Sequence, residues 1–284
     1  MTIAAERVAI IEKLTPHLMR LSDSEIERLV DTGDVLNDVE FAPAVEVPFG
    51  QFYAPFDWIN EDADIVLIGI TPGRHQASVA LKALRASLRK GNSPSDAAKA
   101  AKQAASFDGD MREIAALLMN RFQFQKLFGV RSCADLFTDV QTRVHYTSII
   151  RYPVLHWQTK KVKRRPVSRW WDYSGGDKAF KTELLVRSLE RDFEVEIQLF
   201  KKAWLVPFGP TPALALERLV ARGSIARDRV LPGINHPSGT QWNRHNCQLN
   251  MTDDHSACAP NVGCEGIQTR TAELEKIVSA LLVS

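Results

Sequence analysis

The chain has 284 residues, 45% of them hydrophobic and 25% charged, with a net charge of +2; this allows a sizeable buried core and excludes a disordered or fibrous class. No apolar run approaches the roughly 20 residues that span a bilayer. The first residues, Met1 to Arg7, lack a secretory pattern, so a cytoplasmic protein with no membrane partner is expected.

In chain order, residues 4–30 read as two short helices with a break near Thr15-Pro16 and an N-cap at Ser22 or Asp23. Residues 41–59, rich in Pro and aromatics, read as an ordered loop laid over the core. Residues 65–70 form a continuous apolar run, the pattern of a strand buried on both faces. Helical spacing follows from Gly73 to Lys90-Gly91, then over 95–107 with Asp96 as opener, and over 111–128 with Gly129 as stop. The β-branched and aromatic stretch 144–150 is a second strand, and 151–176 reads as a long, basic, aromatic loop. Helices over 179–190 and 193–200 precede a third strand at 203–209, a helix at 211–221 and a fourth strand at 229–234. Residues 239–266 read as irregular. An amphipathic helix over 271–282 closes the chain, with Leu274, Ile277, Val278 and Leu281 facing inward.

Strands alternating with helices imply an α/β fold around a parallel sheet. With no repeat and no linker, one domain is expected over 1–284, with a helical or irregular extension at 1–45 and a tail at 250–284. The cysteines Cys133, Cys247, Cys258 and Cys264 are too few for a disulfide framework and are expected as free thiols. His245, Cys247, His255, Cys258 and Cys264 crowd the tail, but their spacing lacks a paired Cys-x-x-Cys. No metal is expected there.

Charge is segregated along the chain. Residues 23–64 are mostly acidic, whereas 74–131 and 143–191 are mostly basic, most densely at Lys160-Lys161-Val162-Lys163-Arg164-Arg165. Lys161, Arg164 and Arg165, interleaved with Trp157, Trp170, Trp171 and Tyr173, suit phosphate contacts and base stacking. The competing reading is a solvated loop with its Trp residues tucked into the core.

Two Pro/Gly-rich motifs stand at strand ends: Gly69-Ile70-Thr71-Pro72-Gly73-Arg74 and Asn235-His236-Pro237-Ser238-Gly239. In open parallel sheets, ligands bind at the carboxyl ends of strands. Gly73 and Arg74, at the start of a helix, offer free N–H groups and a charge for an anion. His236 can donate to a developing oxyanion, and Ser238 can bond a phosphate.

Taken together, these motifs resemble those of the uracil-DNA glycosylase superfamily. Gly69 to Gly73 looks like its first strand-end motif and His236 to Gly239 like its second. Thr147 to Pro153 is similar to its Thr-Asn-x-x-Lys-x-x-Pro segment, and residues 203–209 to its third strand. The resemblance spans roughly residues 53–249. It implies a three-layer α/β/α sandwich with a four-stranded parallel sheet in the order 2-1-3-4. The implied activity is hydrolysis of the N-glycosidic bond of a flipped damaged base, uracil or another deaminated base, in single- or double-stranded DNA, by a monomer without cofactor.

On this reading Thr71 and His236 are catalytic: Thr71 holds the attacking water and His236 stabilises the departing base. Ile70, Ser148 and Asn235 line the base. Gly73, Arg74, Ser238, Trp242 and Arg244 contact DNA, with Trp242 as the wedge. Thr71 replaces the family's usual acidic or amide residue, and Ser148 its usual Asn. The family's stacking ring falls to Tyr53, Phe56 or Phe107. Two other readings compete: a nucleic-acid-binding protein that has lost catalysis, and an unrelated doubly wound enzyme with a phosphate at Gly73. The missing Gly-x-Gly-x-x-Gly and phosphate-loop signatures weigh against the last.

Overall fold

Local sequence signals set most element boundaries. The computed structural model describes residues 3–283. Among them the strands are β1 (Ala44–Glu46), β2 (Phe49–Gln51), β3 (Ile65–Gly69), β4 (Val144–Ser148), β5 (Val154–Val162), β6 (Arg165–Asp172) and β7 (Trp204–Pro207). The α-helices are α1 (Ile3–Leu18), α2 (Asp23–Thr32), α3 (Arg74–Arg89), α4 (Pro94–Ala105), α5 (Asp110–Arg121), α6 (Phe124–Leu127), α7 (Glu183–Ser188), α8 (Glu194–Ile197), α9 (Pro210–Ala221), α10 (Trp242–Gln248) and α11 (Cys264–Val283). No described helix is long and apolar enough to cross a membrane. The protein is thus mixed α/β, and its contacts divide it into two units, each assembled from three separate stretches.

The first unit comprises the described part of Met1–Ile59, with Ile70–Ser106 and Ser148–Val195. At α2 the Ser22 hydroxyl accepts from the Glu25 N–H while the Glu25 carboxylate accepts from the Ser22 N–H, a reciprocal cap. The break expected at Thr15-Pro16 is absent: α1 runs through Pro16 to Leu18. Pro16 lies in the last turn, where its missing N–H removes a single helical bond. Leu14, Leu18, Ile26 and Val30 from α1 and α2 pack with Leu81, Leu84, Ala97 and Ala101 from α3 and α4.

This unit also holds an antiparallel sheet in the order β1-β2-β5-β6, which corrects two expectations. The loop read at 41–59 contains β1 and β2. The basic loop read at 151–176 is the β5–β6 hairpin, paired from Leu155↔Asp172 to Val162↔Arg165. Its two-residue turn, Lys163-Arg164, has φ of 47° and 68°. That is the geometry of a primed turn, which sequence usually announces with Asn-Gly; two cations give no such signal. At the other end of β6, Trp170 lies on Gly33, where an added Cβ would meet the indole at 2.6 Å. The left-handed Gly33 at the end of α2 (φ 85°) makes room for that ring.

The second unit comprises Asn60–Gly69, Phe107–Thr147 and the described part of Glu196–Ser284. Its sheet runs in the order β4-β3-β7. β3 and β7 are parallel, in register from Ile65↔Trp204 to Ile68↔Pro207. All five residues of β3 are buried. One side of the sheet is covered by Ile114, Leu118 and Met119 of α5 and by Leu274 and Val278 of α11. The inward face expected at Leu274 and Val278 is therefore present, although α11 begins earlier, at Cys264.

The expected fourth strand at 229–234 is reduced to one parallel bridge, Leu205↔Val230. The physical reason is Pro232, which has no N–H to donate to a ladder. Leu231 N–H still donates to the Leu205 carbonyl at 2.9 Å, and Gly209 N–H to the Ile234 carbonyl at 2.8 Å. On its other side the buried Gln248 amide does a strand's work: its Nε2 donates to the Gly233 carbonyl (2.8 Å) and its Oε1 accepts from the Asn235 N–H (2.7 Å).

Candidate functional site

The loop after β3 belongs to the first unit from Ile70 onward. Helix α3 starts at Arg74 and leaves its first N–H groups without helical partners. The chain fills that position itself. Gly73 N–H donates to Gln76 Oε1 at 3.0 Å and Arg74 N–H to Asp172 Oδ1 at 2.9 Å. The Arg74 guanidinium pairs with the same carboxylate at 3.2 Å and donates to the Asp31 carbonyl at 2.7 Å. The anion expected at Gly73 and Arg74 is thus a side chain of β6, which neutralises the charge read as a phosphate contact. Thr71 Oγ1 donates to the Tyr152 carbonyl at 2.9 Å, which orients its lone pairs away from that carbonyl. Ile70 is buried, and Ser148 is half-buried at the end of β4.

A titratable group passed over in the sequence lies beside this loop. Tyr152 also donates through its hydroxyl to Asp57 Oδ1. Asp57 is 1% exposed, and its other oxygen has no partner. Desolvation raises its pKa, opposed by the bond from Tyr152 and the charge of Arg151. The buried Tyr53 hydroxyl lies beside the same carboxylate, whose charge, with burial, raises the Tyr53 pKa. Buried carboxyls with raised pKa values cluster at functional sites. In the sequence Asp57 looked like one more member of an acidic stretch; only burial distinguishes it.

The hairpin of the first unit displays the expected basic residues. Lys161, Arg164 and Arg165 are exposed, and among the described residues no carboxylate pairs with them. On one face Trp171 is covered by Arg169, 3.9 Å from its ring centroid, and by Lys160 at 4.9 Å. On the other face Trp157 is 45% exposed, with Trp170 beneath it edge-on. The cations and Trp157 thus face outward, while Trp170 packs against the core.

In the second unit the Asn235–Gly239 motif leaves the bridged segment beside the end of β7. His236 sits on Gly209, where an added Cβ would come within 3.2 Å of the His236 Cβ; Gly209, at φ 93°, allows that approach. His236 is half-buried, and desolvation, with a smaller push from His245, lowers its pKa to about 4. It is a neutral imidazole at physiological pH.

The buried His245 donates from Nε2 to the Ser238 carbonyl at 2.9 Å, leaving its Nδ1 without a partner. Trp242, 43% exposed, stands edge-on to His245. Arg244 is exposed and donates to the Asn261 carbonyl. Ser238 Oγ bonds Thr240 Oγ1 at 2.9 Å. Asn235, read as a base contact, is buried and serves the loop's own frame: its amide donates to the Arg244 carbonyl (3.0 Å) and its Oδ1 accepts from Arg270 (3.4 Å). The carboxylate of Asp110, at the start of α5, lies 3.5 Å from where a Gly239 Cβ would be.

The aromatic residues considered as stacking rings are all interior. Tyr53 and Phe56 lie in the core of the first unit, and Phe107 packs on Phe208, Phe137 and Tyr146 in the second.

The tail corrects one further expectation. Cys247 and Cys264 are joined by a disulfide rather than being free thiols. No metal is expected from the spacing of the tail residues, yet the ligand atoms of Cys247, His255, Cys258 and Cys264 all lie within 4.8 Å of one another. His245 is not among them. The spacing Cys-x7-His-x2-Cys-x5-Cys matched no familiar pairing, and the turns between the ligands, which sequence does not give, bring them together.

No family model matches the chain, and no solved structure matches it. Among curated proteins it is similar to the uncharacterized protein YoxB of Bacillus subtilis (strain 168), 30% identical over 213 residues, which cover 74% of this chain and 78% of that protein.

Proposed function

We propose that this chain, which belongs to the same family as YoxB, is a DNA base-excision glycosylase that hydrolyses the N-glycosidic bond of a flipped, deaminated base. The observation that carries this reading is the desolvated His236 at a strand end, held neutral by a pKa of about 4. Breaking the N-glycosidic bond sends its electron pair onto the departing base, so negative charge grows on the base's carbonyl oxygen. A neutral, half-buried imidazole N–H stabilises that charge by donating a hydrogen bond without having to lose a proton. Water then adds to the sugar carbon that the base has left.

The finer fold belongs to this reading. The order β4-β3-β7 followed by the bridge at Val230 supports a uracil-DNA glycosylase-like sheet whose last strand is interrupted by Pro232. Within the first unit, Tyr152 is bonded both to Thr71, through its carbonyl, and to the buried Asp57, through its hydroxyl. In the second unit Trp242 and Arg244 offer a wedge and a phosphate contact, and in the first unit Lys161, Arg164 and Arg165 on the hairpin offer phosphate contacts of their own.

A second reading, binding without catalysis, draws on the Thr71–Tyr152 bond. It ties up the hydroxyl that an active enzyme of this kind would use to hold water.

The test is incubation with oligonucleotides bearing uracil, hypoxanthine or xanthine, followed by alkali. Scission by the wild type that falls about 10²–10³-fold in His236→Ala, the usual cost of one lost oxyanion donor, supports the enzyme. Salt-sensitive binding with no scission of any lesion leaves the second reading. The absence of both rejects the two together.

A further inference from the structure

We propose that Cys247, His255, Cys258 and Cys264 form a tetrahedral zinc site that staples the segment between α10 and α11. Three cysteine sulfurs and one imidazole nitrogen converge within 4.8 Å of one another. Cys247 Sγ is 3.7 Å from His255 Nδ1, and Cys264 Sγ is 3.3 Å from it. A tetrahedron built on zinc–sulfur bonds of about 2.3 Å has edges of about 3.8 Å, so the imidazole already stands at tetrahedral distance from both sulfurs, and opening the Cys247–Cys264 bond lets all four ligands share one ion.

The surroundings of the cluster match what a zinc ligand set requires. A ligating imidazole normally donates its second N–H to a carbonyl or carboxylate, which fixes the tautomer. Here His255 Nε2 donates to Asn250 Oδ1 at 3.3 Å, leaving the Nδ1 lone pair facing the sulfurs. Gln268 Nε2 donates to Cys247 Sγ at 3.4 Å while also donating to the Cys247 carbonyl at 2.7 Å. An N–H aimed at sulfur favours the thiolate. Val262 and Ile267 close an apolar shell around the cluster.

The segment has little else to hold it. Among residues 249–263 whose side chains are described, Val262 is the only one buried. A stretch with so small a core is the usual setting for a metal or disulfide staple. The Cys247–Cys264 disulfide alone accounts for two of the four residues and leaves the approach of His255 and Cys258 without a purpose.

Disulfide and metal are alternative states of one cluster. A thiol reductant reduces the disulfide by exchange, becoming a disulfide itself and leaving Cys247 and Cys264 as thiols. Zinc(II) then displaces three protons, one each from Cys247, Cys258 and Cys264, and takes the neutral His255 as its fourth ligand.

The full chain, purified under a thiol reductant without chelator, is expected to carry one equivalent of zinc by elemental analysis. Cobalt(II) exchanged into the site is expected to give thiolate-to-metal charge transfer in the near ultraviolet and tetrahedral ligand-field bands in the visible. Cys258 lies outside the disulfide, so Cys258→Ser separates the two states: it removes the metal, or weakens it at least tenfold, if the site is real, and it leaves a bare disulfide untouched. Metal-free protein under these conditions overturns the proposal, as does a full equivalent retained by both Cys258→Ser and His255→Ala. Should those variants be insoluble, the wild-type cobalt spectrum decides, and absence of the charge-transfer band counts against the site.

Discussion

The loop after β3 and the loop carrying His236 share one grammar, an apolar segment running into Pro and Gly, yet their polar groups have opposite fates. In the first, the helix N-terminus is occupied by Asp172, Arg74 is paired with the same carboxylate, and Thr71 is bonded to a backbone carbonyl. In the second, a frame of buried Asn235 and Gln248 and half-buried Arg270 consumes the structural hydrogen bonds. That leaves an imidazole at the loop's surface, with Trp242 and Arg244 exposed nearby in sequence. A loop can offer chemistry only where another part of the fold has already satisfied its backbone. The same physics that makes a helix start attractive to phosphate makes it attractive to the chain's own acids.

Three perturbations probe this contrast, beginning with the largest expected effect. Gly209→Ala forces a Cβ against His236 at a left-handed backbone position. The expected loss is about 2–3 kcal/mol in chemical denaturation, together with displacement of the imidazole. Full stability with normal scission would mean that His236 does not depend on this seat.

Next comes acid. The unfolded His236 takes up a proton near pH 6.5, whereas in the fold it does so near 4. The unfolded state therefore binds more protons between those values, and stability falls as pH drops from about 6.5 to 4. The shift corresponds to roughly 3 kcal/mol at most. His245 and His156, whose pKa values are also lowered by burial, contribute in the same direction. His236→Gln is expected to flatten the acid limb of a denaturation-versus-pH curve by its own share; an unchanged limb would mean that His236 is solvated.

The smallest effect is expected at the first loop. Asp172→Asn keeps an acceptor for the Arg74 N–H but removes the charge. Because Asp172 is 47% exposed in its side chain, the stability cost is expected to stay at about 0.5–1 kcal/mol. DNA affinity, measured by anisotropy at two salt concentrations, is expected to rise as the Arg74 charge is released. Unchanged affinity would show that Arg74 does not face nucleic acid.

The sequence by itself determined what depends on near neighbours. Apolar runs of strand length at 65–69 and 204–207 became β3 and β7, and the amphipathic pattern of 271–282 became the inner face of α11. Ser22 capped α2, because a cap needs only residues three apart. The polar strand-end motifs were also legible, since Pro and Gly mark turns wherever they occur.

Tertiary structure decided everything that rests on partners distant in the chain. It opened the basic stretch at 151–176 into a hairpin whose turn carries two cations in place of Asn-Gly. It supplied Gln248 as the substitute for a strand ladder that Pro232 could not complete. It set Asp172 on α3, buried Asp57, and lowered the pKa of His236 by desolvation, which no local pattern encodes. It also drew four tail residues of unfamiliar spacing to within 4.8 Å of one another, because ligand geometry depends on where the turns place the side chains and not on the count of residues between them.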